Sequence, residues 1–472
     1  MTRPIDLNQT HPFFKKMKAN RMICFAFFGG CACILFFNLW GRSLENQDYL
    51  RYAEVAREMI RSGDWIIPRF NGEIFIHKPP LLFWLIALPS NLYGAVTPLI
   101  ARLPSAFFAW IGAIVVYLWG RKLWGEDKFG FISSGVLISS YLYFWQGRIA
   151  RTDMLFSVLI LLSLYFFYLN HQRGRSFLFI SLSFTFMGLA GLTKGPVGIL
   201  FPLLIIFLFL LKQRQLKSFV QKEFLLGYFI VVLISVAWVI PFLCQVGWEA
   251  ALKIWKETRI LSRHAPFYLY GLRIWVDFAP WSIFFPFIFI YFWKKEKNPV
   301  EMFLILWFLS LFFLLTLFPT KASKYLLPAF PALALMIGGF WQKRSLILFG
   351  VLFLGSILAW HGNEFRLIRQ NEVRTYGLHL SNELNPYRNK DILGYRIDGD
   401  ILGKLSFYRD KTIVGVNQAE DLKKKIKGKG EVFLVTTEMG FQDLINNRVE
   451  VTLLKKIDYK KGSMILTQIG PF

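Results

Sequence analysis

The feature that most constrains this chain is its run of long apolar blocks, separated by short polar connections. A hydrocarbon core about 30 Å thick is crossed by roughly 20 apolar residues in helical form. Such blocks lie near residues 22–41, 98–120, 129–147, 153–170, 177–193, 195–211, 224–246, 273–293, 300–318, 326–341 and 345–360. The expected fold is therefore an all-α polytopic membrane protein with about eleven or more spans. Composition agrees: 55% of the 472 residues are hydrophobic, 18% are charged, and 50 are Phe. Soluble domains average about 25% charged residues. A soluble globular enzyme, a disordered chain and a disulfide scaffold are thereby excluded.

The formal net charge of +25 sits in short connections rather than on one continuous basic face. Nucleic acid is thus not the expected partner; membrane topology, anionic lipid headgroups and an anionic substrate are. Basic clusters favour the cytoplasmic side. With the basic segment 1–21 inside, the inward connections hold Arg121, Lys122 and Lys128; Arg173 and Arg175; Lys212, Arg214, Lys217 and Lys222; Lys294, Lys295 and Lys297; and Lys343 and Arg344. Every second connection is basic. An odd number of spans then places the C-terminus outside. The expected location is a bacterial inner membrane, crossed many times. Cys24, Cys31, Cys33 and Cys244 lie in apolar blocks without metal-site spacing and read as buried small hydrophobes.

Three segments depart from the simple span pattern. Residues 47–61 mix Leu50, Ala53, Val55, Met59 and Ile60 with Arg51, Glu54, Arg57, Glu58 and Arg61, as a helix on the membrane surface would. The apolar piece 79–94 is short for a span and reads as interfacial or re-entrant, within a first outer loop of 42–97. The loop 244–271, with Trp248 and Trp255, also reads as interfacial. Beyond the transmembrane region 22–361, apolar runs shrink to 391–395, 412–416, 431–435, 449–454 and 463–467, with a helical stretch at 418–427. Residues 362–472 are therefore expected to form a small periplasmic α/β domain of about 110 residues.

An ionisable residue at a span or its mouth is a functional candidate. On the outward side these are Asp48, Arg51, Tyr52, His77 and Lys78; Arg148, Arg151 and Asp153; Lys194; Arg259, Arg263, His264 and Tyr268; and Lys321, Lys324 and Tyr325. Outward Lys and Arg in short loops run against the basic-inside tendency and need a reason. Phosphate and diphosphate groups supply one, because they are held by ammonium point charges or bidentate guanidinium donors. A carboxylate beside them can take a proton from a hydroxyl, and the cations can steady a departing phosphate. Simpler roles exist: Asp48 and Asp153 suit helix N-caps, and Lys78 suits an interfacial anchor. Arg102, inside a span near its outer end, fits either a snorkelling residue or a phosphate ligand.

The stretch Asp48-Tyr49-Leu50-Arg51-Tyr52-Ala53-Glu54, then Ser62-Gly63-Asp64-Trp65, then His77-Lys78-Pro79-Pro80, resembles the first outer loop of the dolichyl-phosphate-mannose-protein mannosyltransferase family. The likeness is to its bacterial branch, which includes the lipid A aminoarabinose transferase. Thr152-Asp153-Met154, Leu192-Thr193-Lys194-Gly195-Pro196, His264-Ala265-Pro266-Phe267-Tyr268, Ala279-Pro280-Trp281 and Lys324-Tyr325-Leu326-Leu327-Pro328 follow in order. The resemblance implies a C-type glycosyltransferase fold and a polyprenyl-phosphate-linked sugar donor. It implies Asp48 and Asp153 as the acidic, catalytic residues. Lys78 would hold the carrier phosphate, aided by Arg51 and Lys194, while Tyr52, His264, Tyr268 and Tyr325 line the donor pocket and Lys324 adds a binding cation. Two departures stand out: Tyr49 replaces a second acid, and His77 replaces an acid before the Lys. Some family members hold a divalent metal near that point, and His77 could ligate one.

The expected activity is transfer of a hexose or pentose from a polyprenyl-phosphate carrier to lipid A, core sugar or another envelope acceptor. Asp48 would act as base on an acceptor hydroxyl, or only orient an acceptor phosphate; Asp153 would hold sugar or acceptor. Protein O-mannosylation is the alternative within the class. A transporter or flippase for an anionic lipid, and a non-catalytic scaffold, are alternatives outside it.

Overall fold

A computed structural model describes residues 12–472 except 42–43, 45–46, 175, 260–264, 295–297, 342–343, 373–375, 388, 428–429, 460–461 and 471–472. Its first part is helical: α1 Pro12–Phe36, α2 Gln47–Ser62, a two-stranded hairpin β1 Arg69–Phe70 and β2 Glu73–Ile74, α3 Leu81–Tyr93, α4 Pro98–Trp124, α5 Asp127–Ser139, α6 Tyr141–Gly147, α7 Thr152–Arg173, α8 Phe177–Lys194, α9 Val197–Lys212, α10 Lys222–Val246, α11 Trp248–Arg259, α12 Leu269–Asp277, α13 Phe285–Lys294, α14 Pro299–Leu317, α15 Phe330–Phe340 and α16 Leu346–Glu372. Residue 362 thus falls inside α16. There follow α17 Tyr376–Glu383, β3 Ile392–Tyr395, α18 Gly399–Arg409, β4 Val414–Val416, α19 Ala419–Ile426, β5 Val432–Thr437, α20 Glu438–Asn446, β6 Val451–Tyr459 and β7 Gly462–Ile469.

Every expected span lies on helix, but fewer helices are full crossings. Among the described residues seven are long and apolar enough, or eight if the bent pair Leu269–Asp277 and Trp281–Phe292 counts as one. The expected span 129–147 is broken at Ser140, whose backbone is extended. The span expected at 273–293 bends by 113° at its break, and 195–211 forms a helix of only 16 residues. Open backbone groups inside hydrocarbon must be satisfied within the protein, and here the two breaks satisfy each other. The Tyr141 N–H donates to the Ala279 carbonyl (3.0 Å), and the Trp281 indole donates to Ser139 Oγ (2.9 Å). Hydropathy cannot see this pairing, which is why the breaks read as continuous spans.

Helix α7 is the axis of the bundle, with 89% of its apolar window buried; α10 and α16 lie at the rim, with 11% each. The rim position corrects the cysteine expectation. Only Cys31 is buried, whereas Cys33 and Cys244 are exposed on the outer faces of α1 and α10.

The C-terminal strands form one sheet in the order β4-β3-β5-β7-β6, parallel across β4-β3-β5 and antiparallel beyond. Its α18 packs onto α2. Arg57 donates to the Phe407 carbonyl and to Asp410 (3.2 Å each), and Arg61 donates to Asp410 (2.7 Å). Glu54 is fully buried beneath this contact, 2.5 Å from Arg57. Burial outweighs the Arg57 charge and pushes the Glu54 carboxyl from 4.5 up to about 7.

A raised carboxyl pKa means that the folded state binds the proton more tightly than the unfolded one. The stabilisation is complete below pH 4.5 and is lost as pH rises through about 7. Thermal unfolding of the wild type should therefore weaken across that window, by about 3 kcal/mol. Glu54→Gln should flatten the slope; an unchanged slope would disprove the assignment.

Candidate active site

The segment after α2 is shaped by local chemistry. Gly63 adopts φ +70° and its N–H closes onto the Met59 carbonyl (3.0 Å), ending the helix. Asp64 Oδ1 then accepts from the N–H groups of Ile66 and Ile67 (3.0 Å each), an Asx-type turn. The indoles of Trp84 and Trp238 donate to the carbonyls of Trp65 (2.7 Å) and Ile66 (2.9 Å), pinning the loop to α3 and α10. The hairpin turns on Asn71-Gly72, both at positive φ, as a two-residue hairpin turn requires. Glu58 Oε2 accepts from the Gly72 N–H (3.1 Å). The hairpin thereby delivers Phe75, His77 and Lys78 to the mouth of the bundle.

There Arg51, Tyr52, Phe75, His77, Lys78, Thr152, Asp153, Lys194, Lys324 and Tyr325 enclose one cavity of about 180 Å³. Asp153 stands in the first turn of α7, where a negative charge suits the helix dipole. Its carboxylate is buried and engages three cations: Lys194 Nζ at 2.5 Å, Arg151 Nε at 3.6 Å and Lys324 Nζ at 3.9 Å. The capping reading explains less than this ion cluster does. Lys194 ends α8, and its ammonium also sits over the rings of Phe156 (4.5 Å) and Tyr325 (5.4 Å). Gly195 holds φ +74°, and a Cβ on Gly198 would come within 2.2 Å of the Ala190 backbone. These two glycines let α8 and α9 meet tightly enough to place Lys194 at the mouth. Lys324 and Tyr325 lie on a 3-10 turn, Ser323–Ala329, anchored by the Trp307 indole on the Pro328 carbonyl (3.0 Å).

Six of the eight sequence-nominated binding residues, with Asp153, thus line one cavity. Asp48 stands in the first turn of α2, but its side chain lies outside the described residues, as does the whole of His264. Tyr268, 54% exposed at the start of α12, is not among the lining residues. Tyr49, where the family pattern has an acid, faces the Arg151 guanidinium at 5.6 Å. His77 packs on Phe75 (4.8 Å between rings) beside Lys78 and Arg51. Among the described residues no group of three or more His, Cys, Asp or Glu could hold a metal ion. Among the described residues the cavity lining is cationic, and its carboxylate, Asp153, is already engaged by Lys194.

Other outward cations turn out to hold the fold. Arg148 is buried and donates to the carbonyls of Ile34 and Leu35 (2.8 Å each) and to Glu364 (2.7 Å). Arg102 donates to the Leu39 carbonyl (2.6 Å), and Lys321 to those of Phe318 (2.6 Å) and Ala265 (3.2 Å). The sequence reading missed Thr152 and Phe75 as lining residues, and Glu364 as a partner. Glu364 carried a signal: it is an acid in an apolar helix, one helical turn after His361.

The helical bundle with its C-terminal sheet matches solved structures in fold. The crystal structure of ArnT from Cupriavidus metallidurans bound to undecaprenyl phosphate superposes with a TM-score of 0.78, covering 94% of this chain and 97% of that one at 18% identity. The chain therefore has the C-type glycosyltransferase fold. Residues 77–241 match the dolichyl-phosphate-mannose-protein mannosyltransferase family, and within it the chain resembles the aminoarabinose transferase branch. An uncharacterized protein of Aquifex aeolicus is 32% identical over 66% of this chain and 62% of its own length. The undecaprenyl phosphate-alpha-4-amino-4-deoxy-L-arabinose arabinosyl transferase 2 of Pseudomonas fluorescens is 28% identical over 62% of this chain. The match spans about half of that relative's length, 51%.

Proposed function

We propose that this chain is a membrane glycosyltransferase that moves a sugar from a polyprenyl-phosphate carrier to an envelope acceptor, with lipid A the first candidate. The supporting observation is the convergence of Arg51, Lys78, Lys194 and Lys324 on one cavity whose carboxylate among the described residues, Asp153, is already neutralised. Such a site suits a phosphate at the lipid–water boundary. The resemblance to arabinosyl transferases makes an amino-pentose the leading donor sugar.

In the reaction, an acceptor oxygen attacks the anomeric carbon of the donor. The bond from that carbon to the phosphate oxygen breaks, and the electron pair leaves with the polyprenyl phosphate. Lys78 and Arg51 steady the charge growing on that leaving group. Asp153 fixes Lys194 and Lys324 in place and keeps them from repelling each other. Asp48 removes the proton of a hydroxyl acceptor, or orients an acceptor that is already an anion. The cavity faces outward from the inner membrane, the N-terminus lies inside, and the C-terminal unit from α17 onward shields the site by resting α18 on α2.

The test is transfer from undecaprenyl-phosphate-linked aminoarabinose to lipid A by the purified protein in lipid. Lys78→Ala should lower kcat/KM by about a hundredfold, as loss of one preorganised charge at a leaving group does, while leaving thermal stability intact. Full activity in Lys78→Ala would remove the donor-phosphate assignment. Unchanged lipid A in a deletion strain, with altered protein glycosylation, would instead favour a protein acceptor.

A further inference from the structure

A second cavity, of about 880 Å³, lies at the other end of α7. Helix α7 has 22 residues, about 33 Å at 1.5 Å per residue. Asp153 is at its start, and Asn170 and His171 of this second cavity are near its finish. The two cavities therefore open at opposite ends of a helix long enough to cross a membrane.

The second cavity is built for an anion. His171, Arg214 and Lys217 line it, together with the neutral donors Asn170, Ser218 and Gln221, and no carboxylate among the described residues does. The His171 ring packs edge-on against Phe209 (5.0 Å), and its nitrogens have no hydrogen-bond partner among the described residues. The Arg214 guanidinium and the Lys217 ammonium likewise have no partner among them. The rest of the lining is largely apolar and includes Leu210, Leu211, Leu216 and Phe224.

A turn at the end of α9 sets Arg214 on the cavity. Arg214 sits at φ +56°, just past the end of α9, with its N–H on the Leu211 carbonyl (3.1 Å) and the Gln215 N–H on that of Leu210 (2.8 Å). Glycine occupies such a helix-ending position without strain. Arg396 and Arg448 share this backbone, so it is the placement of Arg214 beside Lys217 on the cavity that points to an anion.

We propose that this cavity binds the phosphate of an anionic membrane lipid, drawn from the leaflet opposite the polar cavity. Arg214 and Lys217 hold the phosphate, Ser218 and Gln221 donate to its oxygens, and the apolar lining receives the first acyl carbons. The site stands apart from sugar transfer and does not depend on it.

Delipidated full-length protein titrated with phosphatidylglycerol or phosphatidylcholine, and read by native mass spectrometry, tests this. One phosphatidylglycerol should bind in preference to phosphatidylcholine. The double variant Arg214→Gly with Lys217→Gln should weaken that binding by about thirtyfold, since each cation near a lipid phosphate contributes on the order of 1 kcal/mol. Arg214→Gly alone, without lipid, should melt no lower than the wild type, which separates lost binding from lost folding. The control Lys122→Gln with Lys128→Gln removes the same charge elsewhere and should keep the preference. Equal binding of both lipids, an undiminished double variant, or an equal loss in the control would overturn the proposal. Saturation by inorganic phosphate as tight as by the lipid would also overturn it, in favour of a soluble anion.

Discussion

Replacing Asp153 by Asn should abolish sugar transfer and destabilise the protein, and a second substitution should restore only the stability. The reason lies in the ion cluster. The Lys194 side chain is 8% exposed and rests on Asp153 at 2.5 Å. Removing the carboxylate leaves a buried ammonium unpaired, which typically costs about 3–5 kcal/mol. Lys324 and Arg151 lose their shared counter-ion as well. Lys194→Met in the Asp153→Asn background removes the orphaned charge, so the double variant should regain most of the lost thermal stability. Transfer should remain lost, because the cavity then lacks a cation as well as the group that positions the others. Double-mutant analysis of melting temperature beside initial transfer rate measures both. If the double variant recovered activity together with stability, the pair would be a structural brace and the proposed reaction would lose its centre.

The second large effect is expected far from the cavity. Glu364→Ala should destabilise the fold by about 3–5 kcal/mol, the usual consequence of stripping one partner from a buried ion pair. Arg148 and Glu364 meet at 2.7 Å with side-chain exposures of 0% and 4%. Apart from this pair, α16 touches the bundle sparingly. The Trp360 indole donates to the Ser139 carbonyl (2.8 Å), but most of the apolar face of α16 is turned outward. The ion pair therefore clips a peripheral helix onto α6 and onto the end of α1. Thermal unfolding in detergent should show the loss, while Lys78→Ala, a cavity variant, should melt like the wild type. A Glu364→Ala protein as stable as the wild type would mean that α16 is held by other contacts.

Much of this was legible in the residues. Apolar blocks and basic connections are read from length and charge, because hydrocarbon thickness and charge placement act on the chain locally. The hairpin at Asn71-Gly72 and the helix stop at Gly63 were not among the expectations, although each follows from backbone freedom at single positions. The strands of the C-terminal unit fall close to their expected places, since short apolar runs bounded by polar turns carry their own signal. The grouping of Lys78, Asp153, Lys194 and Lys324 was legible only as an ordered set of outward residues, without distances.

What escaped the sequence depends on neighbours. The break at Ser140 and the bend after Asp277 are stable because each meets the other's open backbone groups, and no local window contains both. Arg148 and Lys194 look alike in the sequence, each a cation at a span end. One is turned inward to cap carbonyls and pair with Glu364, more than two hundred residues away; the other reaches the cavity because Gly195 and Gly198 let two helices close.

Local order, hydropathy and charge by themselves determined that this chain crosses a membrane many times and gathers cations at span mouths. Only the folded arrangement decided which of those cations share a cavity with Asp153 and which are spent on holding helices together. The physical reason is that hydrophobic burial depends on composition and is written along the chain. An ion pair depends on a separation of a few ångströms, which is fixed only when distant helices pack.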